Sequence, residues 1–337
     1  MSKTNHCIEL AAYPDGIPDE SHFRSATRPM PTAGDGEFVV RNVYLSLDPF
    51  LRGVISGRQI YATKLEPGDV MVGNTVSVVV DSKHPDFAAG DIVTMSGGWQ
   101  EFSLSSGDGV RHVGNRSAPL SLQVGILGMP GLTAYAGLLH TARPVAGETV
   151  VVSAAAGPVG SMVGQLARLH GCRTVGIAGS DEKCRTVTHT FGFDACINYK
   201  NESLPDALAD ACPDGIDVYF DNVGGPTLAA VLGKLALGAR ITLCGLMTQY
   251  NEKTPPPGPN LGPVIGARAT MTGFVVYDHY DKWNEFQQRC GDWVADGSIR
   301  FLEDRADGLD AAPAHFARLM RGQNFGKALV VIGPEPD

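Results

Sequence analysis

Between residues 149 and 276 the apolar positions switch repeatedly between unbroken short runs and helical spacing. Residues 149–160 read Thr-Val-Val-Val-Ser-Ala-Ala-Ala-Gly-Pro-Val-Gly, an apolar run that stops at a glycine-spaced turn. The next stretch places apolar side chains at Met162, Val163, Leu166, Ala167 and Leu169, which predicts a helix over Ser161–His170. A buried strand, a tight turn and a helix in that order make the phosphate-binding corner of a dinucleotide fold. Gly157 lets backbone approach a pyrophosphate, Gly160 lets helix and strand pack closely, and the helix N-terminus faces the anion. Ala155 stands where the fingerprint has its first glycine, and Pro158 suits a first helical turn, where its missing N–H is no loss. Taken alone, the same segment also reads as an ordinary strand-to-helix turn.

Five more strand-like runs follow: Arg173–Ala178, Ala195–Tyr199, Ile216–Asp221, Ala239–Cys244 and Ala269–Val276. Helical patterns over Asp181–Phe191, Leu204–Ala211 and Pro226–Leu237 separate most of them. Alternation of this kind predicts a parallel, doubly wound sheet covered on both faces. Ligands of such sheets sit beyond the carboxyl ends of the strands. There the chain places Ala155–Gly160, Gly179–Lys183, Asp221–Gly225, Cys244–Tyr250 and Phe274–Val276.

The first part of the chain has a different texture. Glu37–Asp48 and Asn74–Val80 alternate as strands do, Phe87–Thr94 is a turn and a strand, and Gln100–Leu104 adds one more. Short strands punctuated by Gly, Pro and Asp predict a β-rich, barrel-like domain. Gly326–Ile332 is again strand-like and returns to that first domain, which makes the dinucleotide unit an insertion. The expected division is 1–124 completed by 301–337, and 125–300. Pro255-Pro256-Pro257-Gly258-Pro259 is either a stiff surface loop or a substrate-facing one.

Composition narrows the classes. A net charge of −9 without a basic run disfavours nucleic acid and anionic membranes as partners. No apolar stretch reaches spanning length without Gly or Pro, and the N-terminus Met-Ser-Lys-Thr-Asn-His lacks an apolar signal segment, so a cytoplasmic enzyme is expected. The 7 cysteines form no Cys-x-x-Cys pair and the 9 histidines no His-x-x-x-His, which argues against a disulfide framework or a catalytic metal.

The motifs together carry a family resemblance over nearly the whole chain. Gly90-Asp-Ile-Val93, Gly128-Met-Pro-Gly-Leu-Thr-Ala-Tyr135 and Ala154–Gly160 resemble the medium-chain dehydrogenase/reductase superfamily. Leu45-Ser-Leu-Asp-Pro-Phe-Leu-Arg52, Gly179-Ser-Asp-Glu-Lys183, Phe191-Gly-Phe-Asp194, Asn198-Tyr-Lys200, Asp221-Asn-Val-Gly-Gly225 and Gln249-Tyr-Asn251 look like its zinc-free branch. That branch includes leukotriene 12-hydroxydehydrogenase/prostaglandin reductase, plant double-bond reductases and bacterial curcumin reductase. Zinc-dependent members carry a Gly-His-Glu segment, where this chain has Gly68-Asp-Val-Met-Val-Gly73. The resemblance implies an α/β chain with a GroES-like β-rich catalytic domain and a Rossmann domain that binds NADP(H). It also implies a homodimer formed by pairing the sixth strands, here Ala269–Val276.

Cofactor contacts implied by the resemblance are Met129, Thr133, Ala156, Gly157, Pro158, Val159, Gly160, Gly179, Ser180, Lys183, Tyr199, Asn222, Cys244, Gly245, Tyr250, Phe274, Val275, Val276 and Asn324. In the family the lysine of Gly-Ser-Asp-Glu-Lys and the tyrosine of Asn-Tyr-Lys contact the 2′-phosphate, here Lys183 and Tyr199. Spacing alone leaves the choice of NAD or NADP open, because Asp181 lies near the distance of a ribose-binding acid. Asp181 and Glu182 also fit a first helical turn, where acids are favoured. Otherwise Lys183 is a solvated helix lysine and Tyr199 a packing residue at the sheet edge.

Without a zinc Lewis acid, carbonyl chemistry loses its usual driver. Reduction of a conjugated carbon–carbon double bond asks less: hydride goes to the β-carbon and charge moves onto the carbonyl oxygen, where a hydroxyl donor stabilises it. Tyr250 is the candidate donor, since a phenol with a pKa of about 10 stays protonated at neutral pH. The alternative is that it packs the nicotinamide pocket. Tyr61 is a weaker second candidate. The leading expectation is thus an NADPH-dependent reductase of enals and enones. The alternatives are a zinc-free alcohol dehydrogenase or quinone reductase, and a non-catalytic NADPH-binding protein.

Overall fold

A computed structural model describes residues 4–58, 64–114 and 118–336. The chain divides into two compact units: residues 126–302, inner in sequence order, and residues up to 125 together with those from 303, outer in sequence order.

The outer unit begins with an antiparallel pair, β1 (Thr4–Leu10) and β2 (Phe23–Pro29), that the alternation pattern does not reveal. β3 (Phe38–Ser46), a single helical turn α1 (Leu51–Val54), β4 (Thr75–Ser82), β5 (Ile92–Met95), β6 (Phe102–Ser105) and β7 (Arg111–His112) follow. β3 is almost wholly buried because it pairs with β4 and β6. Trp99 is fully buried in this unit's core, its ring stacked on Phe23 at 5.4 Å and edge-on to Phe316 at 5.9 Å.

The inner unit holds α2 (Met129–Tyr135), continued by a π-helical turn Ala136–Ala142, and then the alternating elements. These are β8 (Thr149–Ser153), α3 (Pro158–Leu169), β9 (Arg173–Ala178), α4 (Asp181–His189), β10 (Ala195–Asn198), α5 (Leu204–Ala211), β11 (Ile216–Asp221), α6 (Gly225–Leu232), β12 (Leu235–Leu243), α7 (Gly262–Ala267), β13 (Thr270–Gly273) and α8 (Trp283–Ala295). The six-stranded sheet runs β10-β9-β8-β11-β12-β13, with every pair parallel. Strand order therefore reverses between β8 and β11, and the crevice at their carboxyl ends is the ligand position of such a sheet. Val151, Val175, Ile197, Tyr219, Ile241 and Val231 fill the apolar layer on one face.

The chain then returns to the outer unit through β14 (Glu303–Asp307), α9 (Ala312–Met320) and β15 (Lys327–Val331). β15 lies between β14 and β3, with Leu329 opposite Ser46. Lys327 is buried at its start and donates to the Leu47 carbonyl at 2.7 Å and to Asp48 Oδ1 at 2.8 Å.

Two expected elements differ from the structure. The helix expected over Pro226–Leu237 ends at Leu232, and Leu235–Leu237 already belongs to β12. Apolar residues continue across both elements, so only Gly233 marks the break; Ile216 then captures the chain by donating to the Lys234 carbonyl. The sixth strand, expected over Ala269–Val276, pairs only over Thr270–Gly273. Phe274 N–H still donates to Leu243, after which Val276–Lys282 coils into a tight helical turn.

Candidate functional site

At the end of β8 the backbone reverses sharply. Ala154 adopts φ +52°, and Gly157 N–H donates to its carbonyl at 3.0 Å. Gly160 is required for this closure, since a Cβ there would lie 2.4 Å from the Ala154 carbonyl oxygen. A Cβ at Gly157 would meet the same oxygen at an unremarkable 3.4 Å, so that position is bare toward its other side. The alanine at the fingerprint's first glycine is accommodated from across the sheet. A Cβ on Gly176 of β9 would approach the Ala155 methyl to 2.8 Å, so the small residue has moved to the neighbouring strand. Ala156, Pro158 and Val159 complete the turn and open α3, whose first N–H groups have no acceptor within the helix.

The turn after β9 is open and polar. Gly179 leaves the strand, and Ser180 caps α4 by accepting the Lys183 backbone N–H on Oγ at 3.2 Å. Tyr199, just past β10, is exposed, and its ring lies against Gly179: a Cβ there would be 3.2 Å from its Cε1 and Oη. Lys183 and Tyr199 thus flank the same two-residue turn from two elements. Asp181 is occupied elsewhere, accepting the Asn198 amide at 2.6 Å and the Asn201 amide at 3.4 Å. Its carboxylate ties α4 to β10 in the first helical turn instead of closing the strand end.

Beyond β11 and β12 the site is buried and densely hydrogen-bonded. Asp221, fully buried, accepts on Oδ1 from Ser153 Oγ (3.1 Å), Tyr219 Oη (2.8 Å) and the N–H groups of Val223 and Gly224 (both 2.9 Å). Burial holds the Tyr219 phenol well above its ordinary value, so it stays a donor. Asn222 crosses to β8 twice, its N–H to Ser153 Oγ and its amide to the Ser153 carbonyl, both at 2.8 Å. The Asp221 carbonyl accepts Cys244 and Gly245, and the Val223 carbonyl accepts Thr248. The 244–250 segment therefore hangs from the 221–223 turn. Tyr250 folds back over it: a Cβ on Gly245 would be 3.2 Å from the Tyr250 Oη. Burial pushes the Cys244 thiol up to about 12, which leaves it unreactive at neutral pH.

The remaining expected positions fall into three groups. Met129 and Thr133 sit one turn apart on α2, where Thr133 Oγ1 donates to the Met129 carbonyl at 2.8 Å. Phe274, buried and stacked on His279 at 4.9 Å, leads into half-buried Val275 and Val276 after β13. Asn324 belongs to the outer unit, where it is buried and donates to the Gly326 carbonyl at 2.9 Å. Tyr61 lies outside the described residues. Among the described residues, no cluster of three or more His, Cys, Asp or Glu side chains could hold a metal ion.

The residues of the inner unit fit a dinucleotide. The strand order supplies the switch point, Gly157 and Gly160 the bare turn at a helix start, and Lys183 with Tyr199 a cationic and aromatic corner at the second strand. The 221–225 segment was expected at this edge, but the buried hydrogen-bond network that Asp221 gathers was not. The sequence carries a partial signal, since the apolar runs of β8 and β11 both end on a polar residue, Ser153 and Asp221.

Comparisons with known proteins agree with this arrangement. Residues 6–113 match the model of the N-terminal domain of oxidoreductases, and residues 158–296 that described as zinc-binding dehydrogenase. The chain is 45% identical over 329 residues to the NADPH-dependent curcumin reductase of Escherichia coli (strain K12), covering 96% of this chain and 95% of that one. Identity to the NADP(+)-dependent 2-alkenal reductase of Nicotiana tabacum is 40% over 340 residues, 98% of each chain. The crystal structure of CurA from Vibrio vulnificus in complex with NADPH superposes with a TM-score of 0.93 at 42% identity, covering 98% of this chain and 100% of that one.

Proposed function

This chain belongs to the zinc-free medium-chain dehydrogenase/reductase family, and on that premise we propose how its residues reduce the conjugated carbon–carbon double bond of enals and enones with NADPH. Bound NADPH supplies the hydride, which goes to the substrate β-carbon. The 154–160 turn and the start of α3 hold the pyrophosphate, and Lys183 and Tyr199 hold the 2′-phosphate at the Gly179-Ser180 turn. Tyr250 donates a hydrogen bond from its phenolic O–H to the carbonyl oxygen as negative charge moves there, which lowers the barrier only where charge develops. The resulting enolate takes a proton at its α-carbon from a donor or water to give the saturated carbonyl compound. Asn222 and Asp221 fix the backbone from which Tyr250 is hung.

The observation that carries this reading is the position of the Tyr250 hydroxyl, folded against Gly245 at the carboxyl end of β12, beside the turn that closes the sheet's switch point. Deuterium at the transferred position of NADPH tests the chemistry. It is expected at the β-carbon of an alkenal, with the saturated aldehyde as product. Deuterium at the carbonyl carbon of an allylic alcohol overturns the reading.

A homodimer and a cytoplasmic location complete the proposal. β13 is an edge strand with mostly exposed residues, and Ile265 of α7, Leu261 before it and Leu237 of β12 leave 79%, 52% and 71% of their surface uncovered. All seven cysteines are unpaired, as befits a reducing compartment. Sedimentation at micromolar concentration as a monomer refutes the dimer.

A further inference from the structure

Two thiols meet directly behind the corner assigned to the 2′-phosphate. Cys184, in the first turn of α4, has its Sγ 3.0 Å from the Sγ of Cys196 on β10. Both are partly accessible, as is Cys244, whereas Cys7, Cys172, Cys212 and Cys290 are buried. Cys184 immediately follows Lys183, and Cys196 precedes Tyr199 by three residues. Behind them the sheet is tightly filled. A Cβ on Gly176 of β9 would already lie 3.3 Å from Cys196 Sγ and 2.9 Å from Val187, so the Cys196 sulfur cannot retreat into the sheet.

We propose that Cys184 and Cys196 form a reversible disulfide on exposure to a hydroperoxide, and that this bond loosens the grip on the 2′-phosphate. Cys184 is the attacking sulfur. It sits at a helix start, its N–H bound to the Ser180 carbonyl at 3.0 Å, and the Cys196 thiol donating to it holds it below the ordinary thiol range. Cys196 is shifted the other way by the same hydrogen bond and by burial, so it keeps its proton and acts second. In the first step the Cys184 thiolate attacks the peroxide oxygen, the O–O bond breaks, and an alcohol leaves after taking up a proton. In the second, the Cys196 sulfur attacks the resulting sulfenic acid, the S–O bond breaks, and its hydroxyl departs as water with the Cys196 proton. Two thiols and one hydroperoxide thus give one disulfide, one alcohol and one water.

A sulfur–sulfur bond is about 2.05 Å long, so closing the 3.0 Å gap draws the first turn of α4 toward β10 by up to about 1 Å. Lys183 moves with it. The effect falls on a cofactor that carries a 2′-phosphate and spares one that does not.

The second half of this proposal rests on the assignment of Lys183 and Tyr199; the disulfide itself does not. The full-length protein is treated with a small excess of hydrogen peroxide, then mapped by peptide mass spectrometry and titrated with NADPH and NADH. A dithiothreitol-sensitive link between the Cys184 and Cys196 peptides is expected, with a mass loss of about 2 Da. NADPH affinity should fall roughly three- to tenfold, partial loss of one charge-assisted contact, while NADH affinity stays level. Cys184→Ser and Cys196→Ser should each abolish both changes. Absence of the link, or irreversible sulfinic acid at Cys184, overturns the site. A link that leaves NADPH affinity unchanged overturns the coupling, and Lys183→Ala in the reduced protein shows separately whether the phosphate assignment stands.

Discussion

The two turns at the carboxyl edge of the inner sheet solve different problems. The 179–183 turn after β9 is half-buried to exposed, built from local contacts, and bounded by Lys183 and Tyr199. The 221–225 turn after β11 is largely buried, and one carboxylate oxygen organises four donors from two segments of chain. Recognition of a phosphate by a cation tolerates small displacements, because charge attraction falls off slowly with distance. Placing a phenol against one developing charge does not, because a hydrogen bond weakens steeply with misalignment. Of these two turns, only the second spends buried polar groups on holding its geometry.

Asp221→Ala should give the largest effect. It strands Ser153, Tyr219 and two backbone N–H groups in the interior, at a cost of about 3 kcal/mol or more in urea unfolding. A loss below about 1 kcal/mol would mean that the buried turn is no more rigid than the exposed one.

Lys183→Ala addresses the exposed turn. NADPH binding should weaken about tenfold to a hundredfold, the worth of one charge-assisted contact, with NADH binding almost untouched. Equal losses for the two cofactors, by fluorescence titration, would remove Lys183 from the phosphate site.

Tyr250→Phe should leave NADPH affinity intact and lower kcat roughly tenfold. This is less than the full value of a desolvated oxyanion donor, because water or ribose hydroxyls substitute in part. An unchanged kcat would demote Tyr250 to a packing residue and erase the functional half of the comparison.

Ser180→Ala should cost least, about 1 kcal/mol of stability for the lost helix cap, with a modest rise in the NADPH dissociation constant. A kcat change as large as that of Tyr250→Phe would show that the exposed turn also aligns the chemistry.

The exposed turn was the more legible of the two in sequence. Its residues are contiguous, Gly179 to Lys183, and only Tyr199 comes from elsewhere. The glycine turn, the parallel sheet and the return of the last strand were legible for the same reason, since local period and punctuation encode them. What stayed hidden depends on contacts between distant segments. Gly176 compensates for Ala155 across two strands, Asp221 gathers groups from 68 residues upstream, and Lys327 meets Asp48 across 279 residues. No periodicity within one segment announces such pairs. The overlong sixth strand and the helix run past Leu232 failed differently, because apolar residues continued after the backbone had changed course.

The place of β15 has a consequence for how the chain is made. The outer sheet is incomplete until Leu329 reaches Ser46, so its centre cannot close before synthesis has passed residue 331. The inner unit, contiguous from residue 126 to 302, has all its strands much earlier. The usual amino-to-carboxyl order of domain folding is thereby inverted, and the end of β3 must wait with its edge toward β15 exposed, as a nascent chain that is open to misassociation. Synthesis halted near residue 302 should yield a protease-resistant inner unit beside a degradable amino-terminal segment.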